Sequence, residues 1–457
     1  MSARRGRQPA ANAPRVIVVG AGFAGLAAVR ELNRAGARVT LIDKNVYSTF
    51  QPLLYQVATG GLNPGDVAYP VWAFAARRAA RFRPGELARI DTAARTITLT
   101  DGAVLGYDYL VLATGVAAAY YGIPGAAEHT LALYTRRDAI ALRDHIMARL
   151  ERLDIEGHGA TVNFTVAGGG ATGVELAGAL AELKDALGAT FPEVDKADVH
   201  IRLVEMAPTL LAPFHPSLQS YAHEQLRRRG VEVLLSTKIS EIGEDRVLLA
   251  DGAELPSDVT VWAAGVAAPG AVRGWGLPQG PGGRIVVGPD LRVAGQDHIF
   301  AVGDVALAGD QPLPQLAQPA IQTGRYAGEQ IIAAMTGRRP PGPFSYHDKG
   351  IMATIGRRSA VVQLPRGLRI RGTLAWLAWL ALHLVTLLGG RNRLSALINL
   401  SYRYLIWGHG AGVIVGDDPP ASIPGGPPQR VPGAGAVPRP VPGPDTAPQP
   451  LSRPGAG

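Results

Sequence analysis

Hydrophobic positions along the chain repeat a pattern. A continuous apolar run at 16–19 predicts a strand buried on both faces. It runs into 20-GAGFAG-25, then into apolar residues at helical spacing (Leu26, Val29, Leu32), and Gly36 ends that helix. A second apolar strand over 38–42 stops at Asp43. The same order returns mid-chain: a strand over 161–167, glycines at 168, 170 and 173, a helix, and a strand over 199–204 ending in Glu205. The gap before this second acid is longer, and 184–198 reads as an insertion. Each unit is followed by one more apolar strand entering a small-residue turn, 107-YDYLVLATGV-116 and 258-DVTVWAAGV-266. A related stretch, 297-DHIFAVGDVA-306, comes later. The most apolar segment is 372-GTLAWLAWLALHLVTLLGG-390, with 394-LSALINLSYRYLIWG-408 behind it.

The two glycine units carry chemistry. In strand–GxGxxG–helix–strand–acid, the first glycine makes the tight turn. The second admits a pyrophosphate to the backbone, and the third lets helix pack on strand. Unpaired N–H groups at the helix start favour the anion. Gly20, Gly22, Gly25 and Asp43 form one such unit; Gly168, Gly170, Gly173 and Glu205 form the other. The acids suit ribose hydroxyls. Glu205 would repel a 2′-phosphate, so NADH is expected over NADPH. Two such folds imply two dinucleotides, and the simplest chemistry is hydride passage from a nicotinamide to a flavin. Asp304, after an apolar strand, is placed to bind a ribityl hydroxyl.

Composition sharpens this. The 457 residues are 47% hydrophobic and 18% charged, enough for two or three domains. There is no cysteine, so disulfides, thiolate metal sites and cysteine redox centres are excluded. No metal site is expected. The net charge of +8 asks for an acidic partner. The basic group Arg77, Arg78, Arg81 and Arg83 has no accompanying nucleic-acid motif, so an anionic membrane surface is preferred over nucleic acid.

With both glycine units, the ATG and the AVGD in this order, the chain resembles the two-dinucleotide-binding flavoproteins. Three further stretches, 50-FQPLLYQVATG-60, 316-LAQPAIQTG-324 and 346-YHDKGIMATIGR-357, narrow the resemblance to the type II NADH dehydrogenases, single-subunit NADH:quinone oxidoreductases. The resemblance implies an α/β fold with two Rossmann-like domains: FAD-binding over 15–125 and 291–345, split in sequence, with the NADH-binding part (126–290) inserted. A membrane-anchoring and quinone-access region would follow over 346–416, framed by a disordered basic arm (1–14) and a tail over 417–457. That tail is about one-third proline from 419 onward. It also implies FAD contacts at Gly20, Gly22, Phe23, Ala24, Gly25, Asp43, Lys44, Thr114, Gly115, Asp304, Ala317 and Gln318. NADH contacts are implied at Gly168, Gly170, Ala171, Thr172, Gly173, Glu175, Glu205, Ala264 and Gly265. Glu175 would influence the chemistry, and Gln318, Gln322 and Lys349 would lie on the quinone side. Ser48 replaces an expected histidine, and an arginine expected near Gly412 is missing. A homodimer is compatible with the family.

The apolar core at 374–388 is short of the roughly 20 residues that span hydrocarbon. Arg366, Arg369, Arg371, Arg391 and Arg393 flank it, and Trp376 and Trp379 suit a headgroup layer. The region 372–408 is therefore expected to lie on anionic lipid at the cytoplasmic face, with one short span as the alternative and His383 packed or interfacial rather than catalytic. Pro319 sits at the start of a helix, where a missing N–H costs nothing. Gln318 is expected just ahead of that helix and Gln322 about a turn on, both facing a flavin ring. Quinone reduction without proton pumping follows. A low-turnover NADH sensor, or another flavin reductase, is the rival; disulfide reductases need cysteines.

Overall fold

A computed structural model describes residues 12–405 except 158, 310 and 311. The basic arm up to residue 11, the proline-rich tail, Trp407 and Gly412 lie outside the described residues. No helix among the described residues is long and apolar enough to cross a membrane.

Two five-stranded parallel sheets dominate. The first has the order Ile299–Ala301, Tyr109–Leu112, Arg15–Val19, Arg38–Asp43, Arg81–Pro84. The second has the order Thr130–Ala132, Val259–Trp262, Val162–Ala167, Val199–Val204, Val231–Leu234. The central strands are buried along nearly their whole length, as parallel strands covered by helices on both faces must be. Each unit also carries a three-stranded meander: residues 87–106 between Arg81–Pro84 and Tyr109–Leu112 in the first, 239–256 between Val231–Leu234 and Val259–Trp262 in the second. Both are Rossmann-like cores. A strand from late in the chain, Ile299–Ala301, pairs with Tyr109–Leu112 and completes the first. The return to the first core begins earlier than residue 291: Val272, Trp275 and Leu277 are already buried in it.

The third layer is an antiparallel sheet of Ile351–Gly356, Ser359–Gln363 and Arg369–Arg371, followed by helices Thr373–Thr386 and Gly390–Leu405. One outcome differs from expectation. Trp376 and Trp379 are not surface anchors; they are 8% and 1% exposed and pack with Tyr404 and Tyr55. Apolar side chains cover the other face of these helices instead, with Leu374, Val385, Leu394 and Ile398 all more than half exposed. The last helix is inverted: its polar stripe points inward. Asn392 donates to the Ala68 carbonyl at 2.7 Å. Ser395 and Asn399 donate to Asp66 at 2.6 and 2.7 Å, and Arg403 donates to Gln56 at 2.9 Å.

Candidate active site

The two glycine loops are built alike. Gly20 has φ +107°, and a Cβ there would lie 2.2 Å from the Ala113 carbonyl oxygen; Gly168 has φ +113°, with the Ala263 oxygen 2.6 Å from its Cβ position. Only glycine fits such a turn. A Cβ on Gly25 would strike the Gly20 oxygen at 1.8 Å, and one on Gly173 the Gly168 oxygen at 1.9 Å. The middle glycines, Gly22 and Gly170, face open space. Helices Phe23–Arg34 and Ala171–Ala186 start directly after them with no side-chain cap, which leaves their first N–H groups for a ligand.

The two acids have matching duties. Asp43 accepts from Ala21 N–H at 2.6 Å and Asn45 N–H at 2.7 Å. Glu205 accepts from Gly169 N–H at 2.5 Å and Ala207 N–H at 2.7 Å. Each brace spans the loop and the following turn, and carboxylate oxygens keep lone pairs for ribose hydroxyls. Burial raises the Asp43 pKa despite those bonds. Lys44, expected at the first site, pairs with Glu86 at 3.5 Å.

A cleft of about 410 Å³ runs from the second loop to the first unit. Gly168, Gly170, Thr172, Glu205, Ala264 and Gly265 line one end; Val116, Tyr134, Asp304 and Gln315 line the other. Among the described residues no hydrogen-bond donor holds the Asp304 carboxyl; burial raises its pKa to about 6 while Arg284 opposes the rise. The Thr114 hydroxyl and the Gln315 amide nitrogen are buried without a protein partner. These orphaned groups at the mouth of the Gly20 loop fit the hydroxyls and heteroatoms of a flavin nucleotide.

Helix Ala317–Thr336 closes the first unit. Its Gly324 presses on the first glycine helix, where a Cβ would come within 2.0 Å of the Ala24 oxygen. Thr323 Oγ1 accepts from Gly303 N–H at 3.0 Å and so ties this helix to the Gly303–Asp304 turn. Gln318 is the second residue of the helix, not the residue ahead of it, and Pro319 is the third. The first turn has no side-chain cap. Gln322 is engaged elsewhere: its amide donates to the His347 carbonyl at 2.9 Å and accepts from His347 N–H at 3.0 Å. It clamps the segment that carries Lys349, whose side chain is exposed.

Glu175, on the second glycine helix, points toward the third layer. It accepts weakly from Thr354 N–H at 3.3 Å. Burial raises its pKa to about 8. The Trp379 indole is near enough to favour the charged form, yet completes no hydrogen bond of good geometry. His383 stacks on Trp379 at 4.1 Å, its Nδ1 is bonded to the Trp379 carbonyl, and burial lowers its pKa to about 4. It is packed and neutral at pH 7.

A family model described as pyridine nucleotide-disulphide oxidoreductase matches residues 14–324. The chain is 39% identical over 407 residues to the type II NADH:quinone oxidoreductase NdhA of Mycobacterium tuberculosis, covering 84% of this chain and 85% of that protein. It is 33% identical over 365 residues to the type II NADH:quinone oxidoreductase of Staphylococcus aureus, covering 76% and 89%. The chain belongs to the type II NADH:quinone oxidoreductases. The fold agrees: a solved NDH2 from Plasmodium falciparum in complex with NADH superposes with a TM-score of 0.81 at 18% identity, over 88% of this chain and 100% of that one. With no cysteine, this oxidoreductase shares the nucleotide half of the broader family's description and not the disulphide half.

Several residues of this oxidoreductase gave no sequence signal. Arg284 donates to the Asp304 carbonyl at 2.9 Å and to the Ala306 carbonyl at 2.5 Å, bracing the Gly303–Asp304 turn. The Tyr134 phenol, its pKa raised by burial and then by Asp304, lines the Asp304 end of the cleft. Glu182, 3% exposed, meets Arg403 at 3.5 Å and accepts from Arg357 N–H, joining the second glycine helix to the last helix. Only long-range pairing reveals such roles. Ser48 is buried in a short strand opposite Tyr69 and lines a small cavity beside Phe23 and Leu387.

Proposed function

We propose that this oxidoreductase holds FAD on the Gly20 loop and NADH on the Gly168 loop, and delivers two electrons to a membrane quinone without pumping protons. The observation that carries this reading is the single cleft joining Gly170 and Glu205 to Asp304. When bound, FAD supplies a two-electron centre between nicotinamide and quinone. The chain's own residues do the rest. Gly22 and Gly170 leave backbone N–H groups open to each pyrophosphate, and Asp43 and Glu205 hold the loops while accepting from ribose. Glu205 disfavours a 2′-phosphate, which supports NADH as donor. Asp304 and Thr114 offer the unpaired groups that orient the flavin side chain. The uncapped start of helix Ala317–Thr336 favours negative charge in front of it.

Quinone is expected from the side of the third layer. There, Glu175 holds a proton at its carboxyl near neutral pH and is positioned by Thr354 and the Tyr55–Trp379 pair. Gln318, in the uncapped first turn of its helix, is assigned to the same side by the family resemblance, while Gln322 and its His347 clamp shape the segment bearing Lys349. The exposed apolar face of the C-terminal helices supports attachment to one leaflet, which this reading takes to be at the cytoplasmic face. The decisive experiment is stopped-flow mixing of the purified protein with NADH. Bleaching of the flavin absorbance, followed by reoxidation on adding a soluble quinone, is expected. A flavin that NADH fails to bleach overturns the reading, as does acidification inside proteoliposomes coupled to turnover.

A further inference from the structure

The surface beside the C-terminal helices continues onto the first Rossmann-like unit. The Asn392 bond to Ala68 and the Tyr69 ring, 2.8 Å from where a Gly389 Cβ would sit, fix the start of the last helix against the segment leading into helix Val71–Ala76. Three guanidiniums converge at this corner. Arg30 and Arg78 flank the Phe74 ring, 5.5 and 3.7 Å from its centroid. Arg78 is also held at both ends: its guanidinium donates to the Phe74 carbonyl at 3.1 Å, and its own carbonyl accepts from Asn33. Arg393, in the first turn of the last helix, donates to the Leu387 carbonyl at 2.7 Å.

None of the three has a carboxylate partner among the described residues. The one acid next to Arg30 in sequence, Glu31, is occupied by Arg34 at 2.8 Å and lies 3.9 Å from Arg325. The like charges oppose one another. Arg30 is held below its ordinary pKa by burial and then by Arg34 and Arg393. Arg78 is lowered to about 10 by burial and then by Arg30, with a smaller push from Arg77. Fixed, uncompensated guanidiniums in a fork geometry suit a phosphate. The surroundings say which kind. Trp72, on the same short helix as Phe74, is 62% exposed, and the last helix turns Leu394 and Ile398 outward just past Arg393. An exposed indole and an apolar helix face beside a cation cluster match the boundary between headgroups and acyl chains.

We infer that Arg30, Arg78 and Arg393 form a binding site for the phosphate of an anionic phospholipid headgroup, with Trp72 seated in the adjoining interface. The inference rests on the membrane-surface reading above and extends the contact from the C-terminal helices to the flavin-side unit. Its effect would be orientation: a helix that begins at the Gly20 loop is tied to the bilayer plane.

The test uses the full chain and vesicle flotation with two compositions, phosphatidylcholine alone and phosphatidylcholine with phosphatidylglycerol. An R30Q/R393Q variant is compared with an R227Q/R246Q control that removes the same charge from the second unit. Each basic residue near an anionic surface is worth on the order of a fivefold change in partition. R30Q/R393Q should therefore lower binding to the anionic vesicles about twentyfold, leaving binding to phosphatidylcholine, the melting temperature and flavin bleaching by NADH unchanged. Equal binding by R30Q/R393Q and the parent overturns the site, as does an equal loss in the control. A parent that floats with neither vesicle overturns the membrane reading itself. Calorimetric titration with inorganic phosphate separates the remaining source: saturable millimolar binding, lost in R30Q/R393Q, would make this a free-anion site and overturn the headgroup assignment.

Discussion

The two glycine loops share their backbone design and differ in their surroundings. Around the first, Gly22 and Phe23 are only partly exposed and Ala24 is buried. Helix Ala317–Thr336 lies against the loop's own helix through Gly324 and Gly328. Around the second, Gly170, Ala171 and Thr172 are exposed. Its helix instead packs on strand Ile351–Gly356, where a Cβ on Gly178 would meet the Ile355 oxygen at 2.1 Å. One cradle is roofed by the chain and the other opens on the cleft. The same loop design, one enclosed and one open, suits the proposed assignment of a resident cofactor to the first and an exchanging substrate to the second. What distinguishes them is the third element packed on each helix, not the fingerprint.

The largest effects should come from the loops themselves. Gly25→Val places side-chain atoms on the Gly20 carbonyl, and the purified protein should lose its flavin absorbance altogether. Gly173→Val makes the equivalent clash in the second unit. It should keep the flavin while bleaching by NADH slows by more than about 100-fold, which corresponds to roughly 2.7 kcal/mol or more. Flavin content and stopped-flow rates measure both. If Gly173→Val also sheds the flavin, the two units are not separable and the contrast fails.

Periodicity made the paired units legible, because a buried parallel strand, three glycines at fixed spacing and an acid leave a pattern that few other folds need. The turn and packing roles of Gly20, Gly25, Gly168 and Gly173 follow from steric clash alone, and the structure shows those clashes. The third layer was harder to read. Trp376 and Trp379 looked like interfacial anchors because an apolar helix flanked by arginines can face lipid with either side. Its orientation is settled by Tyr55 and Tyr404, which are remote in sequence. Gln322 read as a free amide because its partner is the backbone of His347, and a backbone group leaves no mark in the sequence. Arg284 and Glu182 act only through contacts formed after folding.

Next in size is Asp304, which has no counterpart in the second unit: the corresponding edge strand there, Thr130–Ala132, runs into Leu133 and Tyr134. Asp304→Ala should weaken flavin retention by about 10- to 100-fold, in line with about 1.5–3 kcal/mol for a hydrogen bond to a charged group. Gel filtration with flavin absorbance reads this, and full retention would remove Asp304 from the first cradle. Glu205→Gln tests the other side. It relieves repulsion of a 2′-phosphate, so the NADH/NADPH ratio of kcat/KM should fall about tenfold while the flavin stays bound. An unchanged ratio would leave Glu205 as a loop brace only. Gln322→Leu breaks both bonds to His347 and should slow quinone turnover several-fold with little change in bleaching by NADH. Equal loss of both steps would take Gln322 off the quinone side.

The smallest expected effect comes from the position where the two helices differ most sharply in polarity. Counting from the third glycine, Glu175 occupies the place that Ala27, 6% exposed, holds in the first unit. A carboxyl buried there holds its proton up to a pKa of about 8, against an ordinary value of 4.5. Below the ordinary value both folded and unfolded chains are protonated and nothing is lost. As pH rises through the interval the unfolded chain ionises first, so the folded state is progressively penalised, and above the folded pKa the penalty is constant. Glu175→Gln removes the titration with little change of shape. Relative to the parent it should gain stability between pH 5 and pH 9, by on the order of 1–2 kcal/mol after allowing for partial solvent access, seen as a rise of a few degrees in the difference of melting temperatures. A difference that stays flat across that range would mean the carboxyl titrates normally. Glu175 would then be an ordinary surface acid rather than the polar group that sets the second glycine helix apart from the first.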